Sequence, residues 1–173
     1  QTTTELEIGT DAPKLSWPCG ITFDSKRRRL LVLGSGLIYQ CDVDKQHKWS
    51  VLCEVHRHWA EGRGLVYEPQ TDALFVLSQS FGGQPAYTLT RLNNEGAVVK
   101  SKQLAAEEFA SLLGRSPVDS NAQLIVVDGK LILLAHFSDR DEDDKGEVKR
   151  SATKQRIYFY DPKTDQLQMT REK

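Results

Sequence analysis

Short apolar segments alternate with polar turns along this chain, and one such unit is repeated. From Gly20 the sequence runs Gly-Ile-Thr-Phe-Asp, then a charged turn, then Leu-Leu-Val-Leu up to Leu33. The pattern returns 44 positions later, without a gap, between Gly64 and Leu77. Each copy predicts a β-hairpin whose first strand ends in an acidic residue. A repeat of this length predicts an array of one supersecondary unit.

A third, looser copy begins at Leu124. There Leu-Ile-Val-Val-Asp is followed by Gly-Lys and by Leu-Ile-Leu-Leu. In this alignment Asp24, Glu68 and Asp128 occupy the same place in the three units. Because catalysis seldom needs three equivalent copies of a residue, we predict that these carboxylates have a structural role in the turns.

The segments after each hairpin extend the pattern. Further short strands and turns complete three four-stranded antiparallel meanders, over residues 20–55, 64–101 and 124–170. The chain of residues 1–173 is long enough for one domain with a sizeable core. We therefore predict an all-β fold in a single domain.

Three segments depart from the meander pattern. Residues 2–8 alternate between two faces and predict an additional N-terminal strand. Over about residues 104–113 apolar residues recur at helical spacing, and Gly114 follows as a stop signal, which predicts one short helix. Residues 138–153 contain almost no apolar side chains and predict a mobile charged loop.

The predicted meanders resemble the blades of a β-propeller of the NHL, regucalcin-like or YVTN type. The resemblance is carried by Trp17–Asp24, Gly64–Tyr67 and Ile157–Pro162, and it covers most of residues 15–170. It implies a propeller-like fold in which each meander is one blade.

Three predicted blades are too few to close a propeller ring. Propellers close with 4 to 8 blades, and an open arc of three would leave two large apolar faces bare. Four explanations stand at this point. Two chains form a six-bladed homodimer, with residues 2–8 completing a partner's blade, or the chain is a segment of a longer propeller. Otherwise it is a compact sheet with only the blade pattern, or the sequence holds a blade that the pattern misses.

The composition of the chain limits the classes of partner that we expect, but it does not indicate a function. The 173 residues are 39% hydrophobic and 27% charged, with a net charge of −1 and a pI of about 6.5. This balance gives no reason to expect a nucleic acid or an anionic membrane as partner. The sequence begins at Gln1 with no secretory signal pattern, so we expect a processed chain or a piece of a longer one.

The three cysteines are Cys19, Cys41 and Cys53. We predict that the last two are reduced thiols that act as small apolar residues. The alternative is a disulfide across the hairpin, since a pairing of Val43 with Val51 would place Cys41 opposite Cys53.

The residues after the fourth predicted strand are the best candidates for a binding surface. His56 and His58 are two positions apart, so both side chains would point the same way from an extended chain. Because their spacing fits no specific ligand pattern, we predict a polar binding rim of His56, His58, Trp59 and Arg63 rather than a metal site. A metal site would need His136 or Glu61 in addition.

The acidic segment that begins at Asp139 superficially matches the start of a calcium loop. An EF-hand loop requires Gly at its sixth position and Glu at its twelfth, where this chain has Asp144 and Arg150. We predict no cofactor, with calcium or zinc as the alternative.

These observations favour a non-enzymatic binding or scaffold module that completes a ring by homo-oligomerisation or as part of a longer propeller. The alternative is a metal-dependent hydrolase or lactonase-like enzyme with a metal on the ring axis, as the regucalcin-like resemblance implies. Asp24 and Glu68 are the only candidates for that metal. Self-assembly without any ligand is a third hypothesis.

Overall fold

The computed structural model describes residues 17–45, 48–55, 60–80, 86–104, 121–142, 148–161, 164 and 166–172. In this part of the chain twelve strands form three four-stranded antiparallel sheets, which confirms the predicted all-β fold of blade-like units. The strands are β1 (Pro18–Asp24), β2 (Arg29–Gly34), β3 (Leu37–Asp42), β4 (Trp49–Glu54), β5 (Ala60–Glu68), β6 (Ala73–Ser80), β7 (Ala86–Leu92), β8 (Val98–Leu104), β9 (Asn121–Val127), β10 (Lys130–Glu142), β11 (Val148–Asp161) and β12 (Gln166–Glu172). The described residues include no helix long and apolar enough to cross a membrane.

Each sheet is a meander in which neighbours in sequence are neighbours in space. Sheet 1 contains β1–β4, sheet 2 contains β5–β8, and sheet 3 contains β9–β12. Short turns favour this order because a few residues can join only antiparallel neighbours. The first strands β1, β5 and β9 lie side by side, so that sheet 2 stands between the other two in an open arc.

Each junction between two sheets has its own apolar core. Between sheets 1 and 2 the buried residues are Leu31, Leu33, Ile38, Leu65, Tyr67, Leu74, Val76 and Leu92. Between sheets 2 and 3 they are Val66, Ala73, Phe75, Leu77, Tyr87, Leu89, Leu104, Leu124, Leu131, Leu133, Tyr158 and Tyr160. Across the second core the rings of Phe75 and Tyr160 meet edge to face, with centroids 6.3 Å apart. Sheet 2 therefore buries both of its faces.

The two faces of each sheet are directed toward different neighbours. The reverse face of a sheet is directed toward the sheet before it in sequence, as Leu65 and Tyr67 are in sheet 2. The forward face is directed the other way, as Leu31 and Leu33 are in sheet 1. Side chains alternate between these faces along every strand.

The first strand of the third unit, β9, is offset by one residue from the predicted repeat, whereas residues 131–134 of β10 keep their predicted alignment with residues 74–77. Gly20 packs against Leu65 and Gly64 packs against Leu124, so Leu124 corresponds to Leu65 rather than to Gly64. By the same count Val127, not Asp128, corresponds to Glu68. A one-residue shift in a strand moves each side chain to the opposite face, and sequence similarity alone does not reveal it.

The cause of the offset is a shorter turn. Four residues join β5 to β6, whereas only Asp128 and Gly129 join β9 to β10. Both of these residues have positive φ angles, of 49° and 72°, as in a type I′ hairpin turn. Asp128 is therefore part of the turn itself.

The structure corrects the predicted loop at residues 138–153. β10 continues to Glu142 and β11 begins at Val148, so residues 138–142 and 148–153 are strand rather than loop. Their register continues from the inner part of the hairpin, with one irregularity near Ser138. Backbone pairing can extend a hairpin without apolar side chains once its buried half has fixed the register.

Two other predictions fall largely outside the described residues. The predicted strand at residues 2–8 lies outside them. Of the predicted helix at about 104–113, only Leu104 is described, and it is the last residue of β8.

The cysteines are free thiols. Cys41 pairs with Trp49 and Cys53 with Ile38, so the hairpin register at Cys41 differs by four residues from the one that would place the two cysteines opposite each other. The alternative pairing of Cys41 with Cys53 is therefore wrong. Burial raises the pKa of the Cys53 thiol to about 11, which keeps it protonated near neutral pH.

The first prediction concerns the contact between innermost strands. A Cβ added at Gly20 would lie 2.6 Å from the backbone nitrogen of Leu65, whereas one at Gly64 would lie 3.2 Å from the Cβ of Leu124. Because a backbone atom cannot swing aside, we expect Gly20→Ala to lower the free energy of unfolding by about 1–3 kcal/mol. Gly64→Ala should lower the free energy of unfolding by clearly less than Gly20→Ala does. Urea denaturation of both variants measures the difference, and equal costs would contradict this account of the packing.

Candidate functional site

Of the predicted binding rim, the structure places Arg63 only. His56, His58 and Trp59 lie outside the described residues. Arg63 lies in β5, where the register with β6 shifts between Gly62 and Gly64. Bulges of this kind redirect a side chain, and the Arg63 Nε–H donates a hydrogen bond to Gln79 Oε1 at 2.9 Å.

Arg63 lines two adjoining clefts beside the innermost strands. One, of about 560 Å³, lies between sheets 1 and 2 and is also lined by Trp17, Pro18, Cys19, Ser35, Gly36 and Gly62. The other, of about 520 Å³, follows the innermost strands and reaches Gln123 in β9. Among the described lining residues Arg63 carries the only formal charge. Its guanidinium group suits a carboxylate or a phosphate.

Asp24 is completely buried at the turn between β1 and β2. Its carboxylate accepts hydrogen bonds from the backbone N–H groups of Lys26 and Arg27, at 3.2 and 3.1 Å. It also accepts bonds from the guanidinium groups of Arg27 and Arg29, at 3.0 and 2.9 Å. Burial alone would raise the pKa of Asp24, but these donors outweigh burial and hold the pKa below its usual value.

Glu68 in sheet 2 likewise accepts hydrogen bonds from the turn that follows its strand. It is buried, and it accepts bonds from the backbone N–H groups of Gln70 and Thr71 at 2.8 and 2.6 Å. Burial alone would raise the pKa of Glu68, but the bond from the Thr71 hydroxyl, followed by these two backbone bonds, outweighs burial and lowers the pKa. The predicted structural role is therefore confirmed for Asp24 and Glu68. Asp128 does not end a strand as Asp24 and Glu68 do, because it is itself one of the two turn residues between β9 and β10.

Asp72 links sheet 2 to sheet 1 through hydrogen bonds. Arg27 donates two hydrogen bonds to the Asp72 carboxylate, at 2.9 and 2.7 Å, across 45 positions of sequence. The hydroxyl of Tyr67 and the amide of Asn94 donate to the same carboxylate, at 2.8 and 3.3 Å. The bonds from Arg27, followed by that from Tyr67, hold the pKa of Asp72 well below its usual range. Burial first, and then the bond to Asp72, raises the pKa of Tyr67 to about 12.

The carboxylates of Asp24 and Glu68 are thus occupied by the chain itself. Among the described residues no three His, Cys, Asp or Glu side chains lie close enough to hold a metal ion. Glu61 and His136 lie in β5 and β10, and their side chains fall outside the described part.

The reverse face of sheet 1 is a second candidate site, and its residues were not among those predicted from the sequence. Ile21 and Phe23 on β1 are 66% and 44% exposed. Their equivalents in sheet 2, Leu65 and Tyr67, are 2% and 6% exposed because sheet 1 covers them. On the same face Val51 is exposed, while the central strands keep their side chains buried.

The forward face of sheet 3 is the matching site at the other end of the arc. Ile125 and Val127 on β9 are 41% and 47% exposed, whereas Val66, the equivalent of Ile125 in sheet 2, is 9% exposed beneath sheet 3. The half-buried residues of this face are Ile132, Leu134, Ile157 and Phe159. The signal for both faces was present in the repeat, since positions buried in one unit stay apolar in the end units.

Comparison with known proteins adds little to this geometry. No family profile and no curated protein matches the chain. Among solved structures, a mannose phosphorylase from Leishmania mexicana in complex with phosphate ion aligns with a TM-score of 0.48 and 16% identity. The alignment covers 85% of this chain and 48% of that one, so this chain spans about half the length of the phosphorylase. A likeness at this level supports no argument about function.

The second prediction concerns the carboxylate between sheets 1 and 2. The folded-state pKa of Asp72 lies below the unfolded value of about 3.9, so its ionised form stabilises the fold above that pH. This contribution is lost as the pH falls through 4 toward the lower folded pKa. We expect Asp72→Asn to reduce stability at pH 7 and to flatten its decline between pH 6 and pH 3. Asn suits the position because it tolerates the φ angle of 54° found there.

Urea denaturation at a series of pH values measures this dependence. Glu54→Gln, at the exposed end of β4, is the matched control and should keep the wild-type slope. An Asp72→Asn variant with an unchanged slope would show that Asp72 does not couple the two sheets.

Proposed function

We propose that the chain is a non-enzymatic scaffold module of the β-propeller type, which binds further blade-like sheets at both ends of its arc. The observation that carries this proposal is the equivalence between exposed and buried faces. Ile21 and Phe23 repeat the chemistry of Leu65 and Tyr67, and in sheet 2 a neighbouring sheet covers these positions. The exposed apolar residues of the end faces thus occupy positions that the junctions within the chain bury, and the central residues of the reverse face of sheet 1, Val32 and Tyr39, are already buried.

The energy of covering these faces supports the proposal. Full burial of a Val, Ile or Phe side chain contributes about 1.5–3 kcal/mol. The reverse face of sheet 1 and the forward face of sheet 3 each present several such side chains that are partly exposed. Exposed apolar side chains that cluster on one face often mark interaction sites.

Two sources would supply the covering sheets. A second copy of the chain would make the module self-associating, and other blades of a longer polypeptide would make it one part of a larger propeller. In both cases the clefts beside Arg63 would adjoin the innermost strands of the assembly. Both arrangements use the module as a scaffold.

The metal-dependent hydrolase gains no support from its two candidate residues. Asp24 and Glu68 are buried, and their oxygens accept bonds from the turns next to them. An axial metal would require these carboxylates to leave their turns. The scaffold requires no such rearrangement.

The third prediction compares two aromatic residues at equivalent positions. At concentrations where the chain is monomeric, we expect Phe23→Ala to reduce the free energy of unfolding by less than about 1 kcal/mol, because Phe23 is partly exposed. Tyr67→Ala should cost about 3 kcal/mol or more, since Tyr67 is buried beneath sheet 1.

Denaturation curves for both variants, with light scattering to fix the solution mass, provide the measurement. Dye binding with anilinonaphthalene sulfonate should report the bare faces in the monomer. The chain would cover its own faces if the monomer bound no dye and if Phe23→Ala reduced the free energy of unfolding as much as Tyr67→Ala. The scaffold proposal would then fail.

A further inference from the structure

We infer that the cleft between sheets 1 and 2 is a binding site for a small molecule that carries an oxyanion, either a carboxylate or a phosphoryl group, beside a flat ring. In this site Arg63 binds the oxyanion and Trp17 stacks on the ring. The inference goes beyond the proposed function, because it assigns a ligand to the cleft beside the innermost strands and is independent of what covers the end faces.

The charge of the cleft carries the first step. Arg63 lies on the sheet 2 side of the cleft of about 560 Å³, and it also lines the adjoining cleft of about 520 Å³. Both volumes lie within the range of about 300–1,000 Å³ that small-molecule sites occupy. A planar guanidinium group favours ligands that present two oxygens side by side, as carboxylates and phosphoryl groups do.

A buried glutamine on the neighbouring strand orients this guanidinium group. Gln79 on β6 is 7% exposed, and its Oε1 accepts the hydrogen bond from the Arg63 Nε–H at 2.9 Å. The bond occupies one N–H of the group and fixes its plane. Because the arginine is already anchored, it loses less conformational entropy on binding a ligand than a mobile surface arginine would.

Two β-bulges at the same place in the repeat shape the cleft. The extra residue is Cys19 in β1 and Arg63 in β5, and both residues line the cleft. Over residues 121–127, β9 pairs with β10 without a register shift. Bulges redirect the side chain of the inserted residue and are frequent beside functional sites. Among the described strands, two bulged innermost strands therefore adjoin only at the junction that contains this cleft.

Trp17 supplies a flat apolar surface on the sheet 1 side of the same cleft. It is 85% exposed, so its indole ring gains little from packing within the chain. Its φ angle is 51°, a left-handed value that is unfavourable for a bulky residue. Backbone strain of this kind is concentrated at functional sites, where the surrounding structure holds it in place. An exposed indole face can stack on a flat ring of a ligand.

The test uses two aromatic oxyanions, phenyl phosphate and benzoate, together with inorganic phosphate as the probe without a ring. Titrations followed by NMR spectroscopy should give a Kd on the order of 1–10 mM for the better aromatic probe, as expected for a ligand of about ten non-hydrogen atoms. Inorganic phosphate should bind about 2- to 10-fold more weakly, because it makes no ring contact. The relative affinity of the two aromatic probes shows which oxyanion fits better, and either order supports the site.

Substitutions of Arg63 test the contact with the oxyanion. Arg63→Gln should raise the Kd of the better probe by about 10-fold or more, because it removes a charged hydrogen-bond donor. Arg63→Lys should give an intermediate Kd, since an ammonium group keeps the charge and loses the planar fork. Arg28→Gln is the matched control, because Arg28 is exposed beside the other end of β2, and it should keep the wild-type Kd.

Trp17→Ala tests the contact with the ring. Because Trp17 is largely exposed, this variant should keep the wild-type stability. We expect its Kd for the better aromatic probe to rise about 2- to 10-fold, while its Kd for inorganic phosphate stays unchanged. A Trp17→Ala variant that binds the aromatic probes as tightly as wild type would overturn the inference.

Two further results would also overturn it. One is a wild type that binds neither aromatic probe at about 20 mM, above the Kd expected for ligands of this size. The other is a Kd that is the same for Arg63→Gln and Arg28→Gln. Neither result concerns the end faces, so the scaffold proposal would still be decided by the comparison of Phe23 with Tyr67.

Discussion

The packing of sheet on sheet beside the innermost strands is the constraint on which the rest of the structure depends. At Gly20 the backbones of β1 and β5 come so close that even a methyl group would meet the amide nitrogen of Leu65. This approach sets the spacing at which Leu31 and Leu33 pack against the reverse face of sheet 2. The second junction repeats the arrangement less tightly at Gly64. Sheets held in this way bury both faces only when each has two neighbours.

Polar groups fix the same junction from the turn side. Asp24 and Glu68 complete the hydrogen bonding of their turns, and Asp72 binds Arg27 across the boundary between sheets 1 and 2. Such buried or half-buried carboxylates are stable only when donors surround them, which explains their depressed pKa values. Groups that bind one another in this way stabilise the turns and the junction between sheets 1 and 2. The carboxylates that looked most like axial ligands are therefore structural.

The two ends of the arc reflect the same packing rule. Among the described residues sheet 2 has a neighbouring sheet on each face, whereas sheets 1 and 3 each have a neighbouring sheet on one face. The exposure of Phe23 compared with Tyr67 expresses that difference for a single position of the repeat. We propose that a surface which repeats the chemistry of a buried junction within the chain is a binding face. Under the proposed function the end faces bind the partner, and Arg63 is the charged residue among the described residues that line the two clefts beside β5.

The sequence by itself determined the local elements. Alternating apolar residues and short polar turns act over a few residues, so they predicted the meanders of all three units and the turn role of Asp24 and Glu68. Tertiary structure decided what depends on distant residues. Pairing across the sheet placed Cys41 opposite Trp49 instead of Cys53, and β9 is aligned one residue away from the prediction, next to the two-residue turn at Asp128. The length of β10 and β11, the partners of Asp72 and the exposure of Ile21 likewise depend on which sheets meet, and no local pattern contains that information.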